Sequence, residues 1–98
     1  MGFKEVRARL IEALRSGRYR AEDRLNVHEK NLLYTGQVTP SFVIHLLNRC
    51  AGWEYGTSRH HFHNVWCHTF TPLLGAERWY IKAYFRPEGE AVFISVHR

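Results

Sequence analysis

No apolar stretch approaches the roughly 20 residues that a membrane-spanning helix needs, and no charged-then-apolar leader with a small-residue cleavage site is present. A soluble, cytoplasmic protein that does not engage a membrane is therefore expected. Cysteine is scarce: Cys50 and Cys67 are the only two, and they lack the paired spacing of a zinc knuckle. In a reducing compartment they are expected as free thiols. A serine nucleophile is disfavoured because no Gly-x-Ser-x-Gly turn occurs. Phosphate-binding and dinucleotide-binding glycine loops are missing as well. Without repeats, low-complexity segments or a linker, the 98 residues read as one domain, 1–98, with one modest core.

Positive charge is plentiful. Fourteen Lys and Arg against nine Asp and Glu give a net charge of +5, before counting seven histidines. Such a balance favours an acidic partner, nucleic acid among them. The basic residues of the first thirty positions are interleaved with acids, as in the i,i+4 pair Glu5–Arg9, and read mainly as a solvated helix face. Arg78, Lys82 and Arg86 instead gather around one apolar–polar alternating stretch.

Phe3, Val6, Leu10, Ala13 and Leu14 recur at helical spacing, and Gly17 follows as a left-handed stop. Tyr19 lies in a three-residue run that fits only a brief edge strand. A second, weaker helix is predicted over Glu22 to Tyr34. Thr39-Pro40 then supplies a hydroxyl cap and a first-turn proline for a third, carrying Val43, Leu46, Leu47 and Cys50. Beyond Trp53 the helical period stops. Strands are predicted over Trp53 to Thr57, Phe62 to Phe70, Glu77 to Phe85 and Ala91 to Arg98, with Pro72 and Gly75 marking a loop. Helices followed by strands predict an α+β fold: a three- to four-stranded antiparallel sheet with N-terminal helices packed on one face.

The last two strands organise the rest. Trp79, Ile81, Ala83 and Phe85 alternate with Tyr80, Lys82 and Tyr84; Val92, Ile94 and Val96 alternate with Ser95 and His97. Paired through the Pro- and Gly-containing Arg86–Glu90 loop, they would bring Tyr80, Lys82, Ser95 and His97 to one face. Cutting a phosphodiester with its own 2′-hydroxyl needs a base, a cation for the extra phosphate charge and an acid for the leaving oxygen. Histidine titrates in the right range, and lysine, arginine and tyrosine can serve the other needs. Aromatic rings beside cations also suit unpaired bases. The structural alternative makes Tyr80 and Lys82 merely the wet side of an antiparallel sheet. A separate cluster, His60-His61-Phe62-His63 with His68, offers imidazoles for zinc but no completing ligands, and no metal or other cofactor is expected.

His63-x-x-Trp66, Phe70-x-Pro72, Tyr80-Ile81-Lys82 and Ile94-Ser95, at their mutual spacings, resemble the motility quorum-sensing regulator (MqsR) toxin family within the RelE-like messenger-RNA interferases. The resemblance covers nearly the whole chain. It implies a small α+β toxin that cleaves mRNA without metal and forms a hetero-oligomer with a cognate antitoxin. Tyr80 matches a family tyrosine implicated in activity. Tyr55 stands where the family has an active-site lysine, Cys67 where it has glutamine and His97 where it has lysine. The expected catalytic set is Tyr80, His97, Lys82, His63 and Arg59, with Tyr55, Cys67, Tyr84 and Arg78 contacting substrate. The rival expectation is a non-catalytic RNA- or protein-binding module on the same fold.

Overall fold

A computed structural model describes residues 2–23, 30–60 and 64–98 of the chain. The first helix, α1 (Phe3–Ser16), buries the predicted stripe of Val6, Leu10, Ala13 and Leu14 together with Ile11. Gly17 ends it with φ 80°, a conformation other residues adopt only under strain. A second helix, α2, is a single turn, Leu32–Thr35, and α3 (Pro40–Arg49) begins where the Thr39 hydroxyl accepts from the Phe42 amide at 3.1 Å. A short 3₁₀ turn, Gly52–Glu54, leads into the strands.

The strands are β1 (Tyr19–Ala21), β2 (Tyr55–Arg59), β3 (Trp66–Phe70), β4 (Leu73–Leu74), β5 (Glu77–Arg78), β6 (Tyr80–Phe85) and β7 (Ala91–His97). Five form one sheet in the order β1-β7-β6-β3-β2, while β4 and β5 make a separate two-stranded ribbon. The α+β architecture is as predicted, but the sheet is larger and mixed. Strand β1 pairs with β7 in parallel, Tyr19 opposite Ala91 and Ala21 opposite Phe93. A three-residue strand has no readable period, and a parallel partner seventy residues away leaves no local trace.

The predicted helix over Glu22 to Tyr34 is corrected too. Positions 24–29 lie outside the described residues; of the rest of that span only residues 32–34 are helical, within α2, and 22, 23, 30 and 31 are not. Glu22 N–H donates to the Phe93 carbonyl at 2.9 Å, and Val96 N–H donates to the Lys30 carbonyl at 3.2 Å. Both segments thus run against β7, and the Lys30 carbonyl does not close a helical turn. Asn31 secures the junction. Its amide donates to the carbonyls of Glu22 and Phe93, both at 2.9 Å, and of Ile94 at 3.3 Å.

Helices α1 and α3 cover one face of the sheet. Val6, Leu10, Val43, Leu46 and Leu47 meet Phe70, Ile81, Ala83, Phe93 and Val96 in the main core. Truncating one of these buried leucines to alanine costs about 2–5 kcal/mol in general. A smaller cluster of Cys67, Tyr84, Val92 and Ile94 lies on the other face. Strict alternation would have put Val92, Ile94 and Val96 together. A bulge intervenes: the register of β6 on β7 shifts between Lys82 and Ala83, so that Lys82 opposes Ser95 while Ala83 opposes Phe93. The extra residue turns Val96 to the core and leaves Val92 and Ile94 on the far side. Among the described residues no helix is long and apolar enough to cross a membrane.

Candidate active site

On the sheet face turned away from α1 and α3, Tyr80 sits opposite His97, and Lys82 opposite Ser95 and beside Thr69. The Tyr80 and His97 rings stack, centroids 5.3 Å apart and planes 30° apart. Both rings and Lys82 are half-buried, but Ser95 is wholly enclosed, and its hydroxyl finds no hydrogen-bond partner among the described residues. Ser95 thus lies beneath this surface. Burial, and secondarily the charge of the neighbouring Cys67, push the Tyr80 phenol above its ordinary pKa. At neutral pH it is a hydrogen-bond donor rather than a phenolate.

His97 Nδ1 lies 3.1 Å from the main-chain oxygen of Arg98. An oxygen of that kind only accepts, so Nδ1 carries the proton. In neutral His97 the lone pair is then on Nε2, the form a general base requires. A cleft of about 400 Å³ opens alongside, its lining including Asp23, Lys30, Tyr34, Gln37, His97 and Arg98. His97 belongs to both the ring pair and the cleft. Arg98 is steadied over the Trp79 ring at 5.0 Å and by Glu77 at 3.5 Å.

The remaining candidates lie elsewhere. Arg59 is opposite Trp66, which alternation places with His68 and Phe70 on the helix-side face; its guanidinium stacks 5.1 Å over that indole. It is therefore not beside Lys82. Tyr55 also faces the helices, opposite Phe70, and its hydroxyl is 2.8 Å from His68 Nδ1. Arg78 is on the small ribbon, ion-paired with the buried carboxylate of Glu54 and donating to the Thr71 carbonyl at 2.7 Å. Cys67 and Tyr84 do lie on the Tyr80 face, but both are buried in the apolar cluster, with the His60 ring edge-on to Tyr84 at 5.2 Å. Packing rather than contact with a substrate occupies them. His63 lies outside the described residues.

Sequence reasoning weighed His68 only as a zinc ligand and missed both its pairing with Tyr55 and the cleft. His68 is two residues before Phe70, and parity would have placed it on the core side. Burial first, and then positive charge including that of Arg9, lower its pKa. The cleft was hidden by the long helix expected over Glu22 to Tyr34. Asn31 before Leu32-Leu33 was the available signal, because its side chain caps the short helix by accepting from Tyr34 N–H at 3.3 Å. Neither Cys50 nor Cys67 forms a disulfide, and burial, then Glu54, push Cys50 up to about 11, leaving it an inert thiol. Among the described residues no group of three or more His, Cys, Asp or Glu side chains converges as metal ligands do; His61 and His63 lie outside them.

Fold and site together define an α+β protein with a mixed five-stranded sheet and a phenol–imidazole–ammonium group on the face its helices leave. Comparison with protein-family models, with curated proteins and with solved structures finds no significant match.

Proposed function

We propose that this chain is a metal-independent endoribonuclease acting on single-stranded RNA in the cytoplasm, the toxin of a toxin–antitoxin pair held in check by a cognate protein. The observation that carries the reading is the stacked Tyr80–His97 pair, with Lys82 one pleat along and a cleft at its side. His97 Nε2 takes the proton of the ribose 2′-hydroxyl, and the 2′-oxygen attacks the adjacent phosphorus. Lys82 stabilises the charge that accumulates on the phosphate oxygens. Tyr80, held protonated, passes its proton to the departing 5′-oxygen, and the phenol is restored by the proton that His97 took and releases to solvent. The P–O5′ bond breaks, leaving a 2′,3′-cyclic phosphate and a 5′-hydroxyl. The net positive charge steers the polyanion toward the site.

Incubating the purified protein with RNA in excess chelator, followed by end-group analysis, tests this chemistry. Cyclic phosphate ends that need wild-type Tyr80 and His97 are expected. Cleavage abolished by the chelator, or full rates in both Tyr80→Phe and His97→Ala, would overturn it. One observation favours the rival reading of a non-catalytic RNA- or protein-binding module: Arg59, the second expected phosphate cation, is on the opposite face. Expression in a bacterial host separates the two. A nuclease toxin arrests growth until the product of an adjacent antitoxin gene is supplied, whereas a passive binder leaves growth intact.

A further inference from the structure

We infer that the cleft beside His97 holds the nucleotide next to the scissile phosphate, and that Asp23 makes it select bases bearing an amino group over uracil; the inference rests on the RNA-cleaving reading. The volume, about 400 Å³, is within the range of sites that enclose small organic ligands. Its floor is rigid. Asn31 ties the segment before α2 to the Phe93 and Ile94 carbonyls and caps the turn that carries Tyr34. Tyr34 is 52% exposed, a large aromatic left largely in water at the cleft wall. Such a ring is a platform on which a base can stack.

The charges divide the cleft into two functions. Lys30 and Arg98 supply cations for the phosphates that flank a bound nucleotide. Asp23 does the reverse, because a carboxylate repels phosphate. Among the described residues it forms no hydrogen bond or ion pair that would neutralise it. A carboxylate is an acceptor only, so its partner must be a donor on the base. Adenine, cytosine and guanine carry exocyclic amino groups, and guanine adds a ring N–H beside its own. Uracil offers one ring N–H between two carbonyl oxygens, which face a carboxylate unfavourably. The Gln37 amide, on the same wall, can donate to or accept from a neighbouring edge atom.

The four nucleoside 3′-monophosphates, titrated one at a time into isotope-labelled protein and followed by amide shifts, test this directly. Shifts centred on Asp23, Tyr34 and His97 are expected, with the uridine nucleotide weakest by roughly 5- to 150-fold, the discrimination one good side-chain–base contact gives. Asp23→Asn should collapse that difference, and Tyr34→Ala should weaken all four, by roughly 5- to 150-fold. Equal binding of the four by the wild type, shifts remote from the cleft, or selectivity surviving Asp23→Asn would each overturn the inference. Base-selective binding by a protein that never cuts RNA would keep the subsite and remove the nuclease. Cutting without base-selective binding would do the opposite.

Discussion

Among the described residues the sheet carries two stacked tyrosine–histidine pairs, one on each face, and they have opposite fates. Tyr55 and His68 stack at 6.0 Å with planes 12° apart, joined by a 2.8 Å hydrogen bond. Phe3, Phe70 and Phe85 rings surround them. Tyr80 and His97 also stack, but the His97 Nδ1 bond goes to main chain and the ring borders a cleft. The same two side-chain chemistries thus become a structural clasp on one face and an available acid–base couple on the other. What separates them is which hydrogen bond saturates the imidazole and what covers it.

The sharpest way to break this contrast is to delete each pair's imidazole. On the proposed reading, His97→Ala lowers the RNA cleavage rate by roughly 10²- to 10⁴-fold, the usual contribution of a positioned acid–base group. His68→Ala leaves the rate per folded molecule unchanged and lowers stability instead. Single-turnover cleavage beside denaturant titration of both variants checks the division. Lys82→Met should come next, at roughly 10²- to 10³-fold slower cleavage, as when a preorganised transition-state donor is removed. Arg59→Met, on the other face, should leave cleavage untouched and stability within about 0.5 kcal/mol of wild type.

Tyr55→Phe probes the clasp itself. It strips His68 Nδ1 of its partner and should cost about 1–3 kcal/mol, read from the shift in denaturant midpoint. The smallest effect concerns pH. Burial lowers the pKa of His68 below its unfolded value of 6.5, so protons bind the unfolded chain more readily. Its contribution to stability is complete above that value and is lost as pH falls from there through the folded pKa. Denaturant midpoints should therefore decline on acidification from pH 7, and the decline should be shallower in His68→Gln.

Helices α1 and α3, and the hairpin of β6 with β7, were legible because each repeats its apolar positions over two or more turns or pleats. The convergence of Tyr80 with His97 was legible for the same reason, though on reasoning only half right. Val92 and Ile94, read as facing the core, pack on the Tyr80 side, and the bulge restores His97 to that side. Arg59 and Tyr55 were misplaced because β2 has few apolar residues to fix its parity, and Gly56 and Ser58 give no sign of which face is buried. Strand β1 and the cleft depend on pairings between residues far apart in sequence, which no local pattern encodes.

The irregularity in β7 makes strand register after residue 93 as consequential as chemistry. Were Ile94 to pair regularly with Lys82 instead of bulging, Ser95 would oppose Ile81 and the imidazole at position 97 would rotate toward α1 and α3. The composition would be identical, and the fold could still be assembled. The phenol would nevertheless lose its ring partner, whereas losing Ile94 altogether would close the bulge and leave Tyr80 and His97 opposite each other.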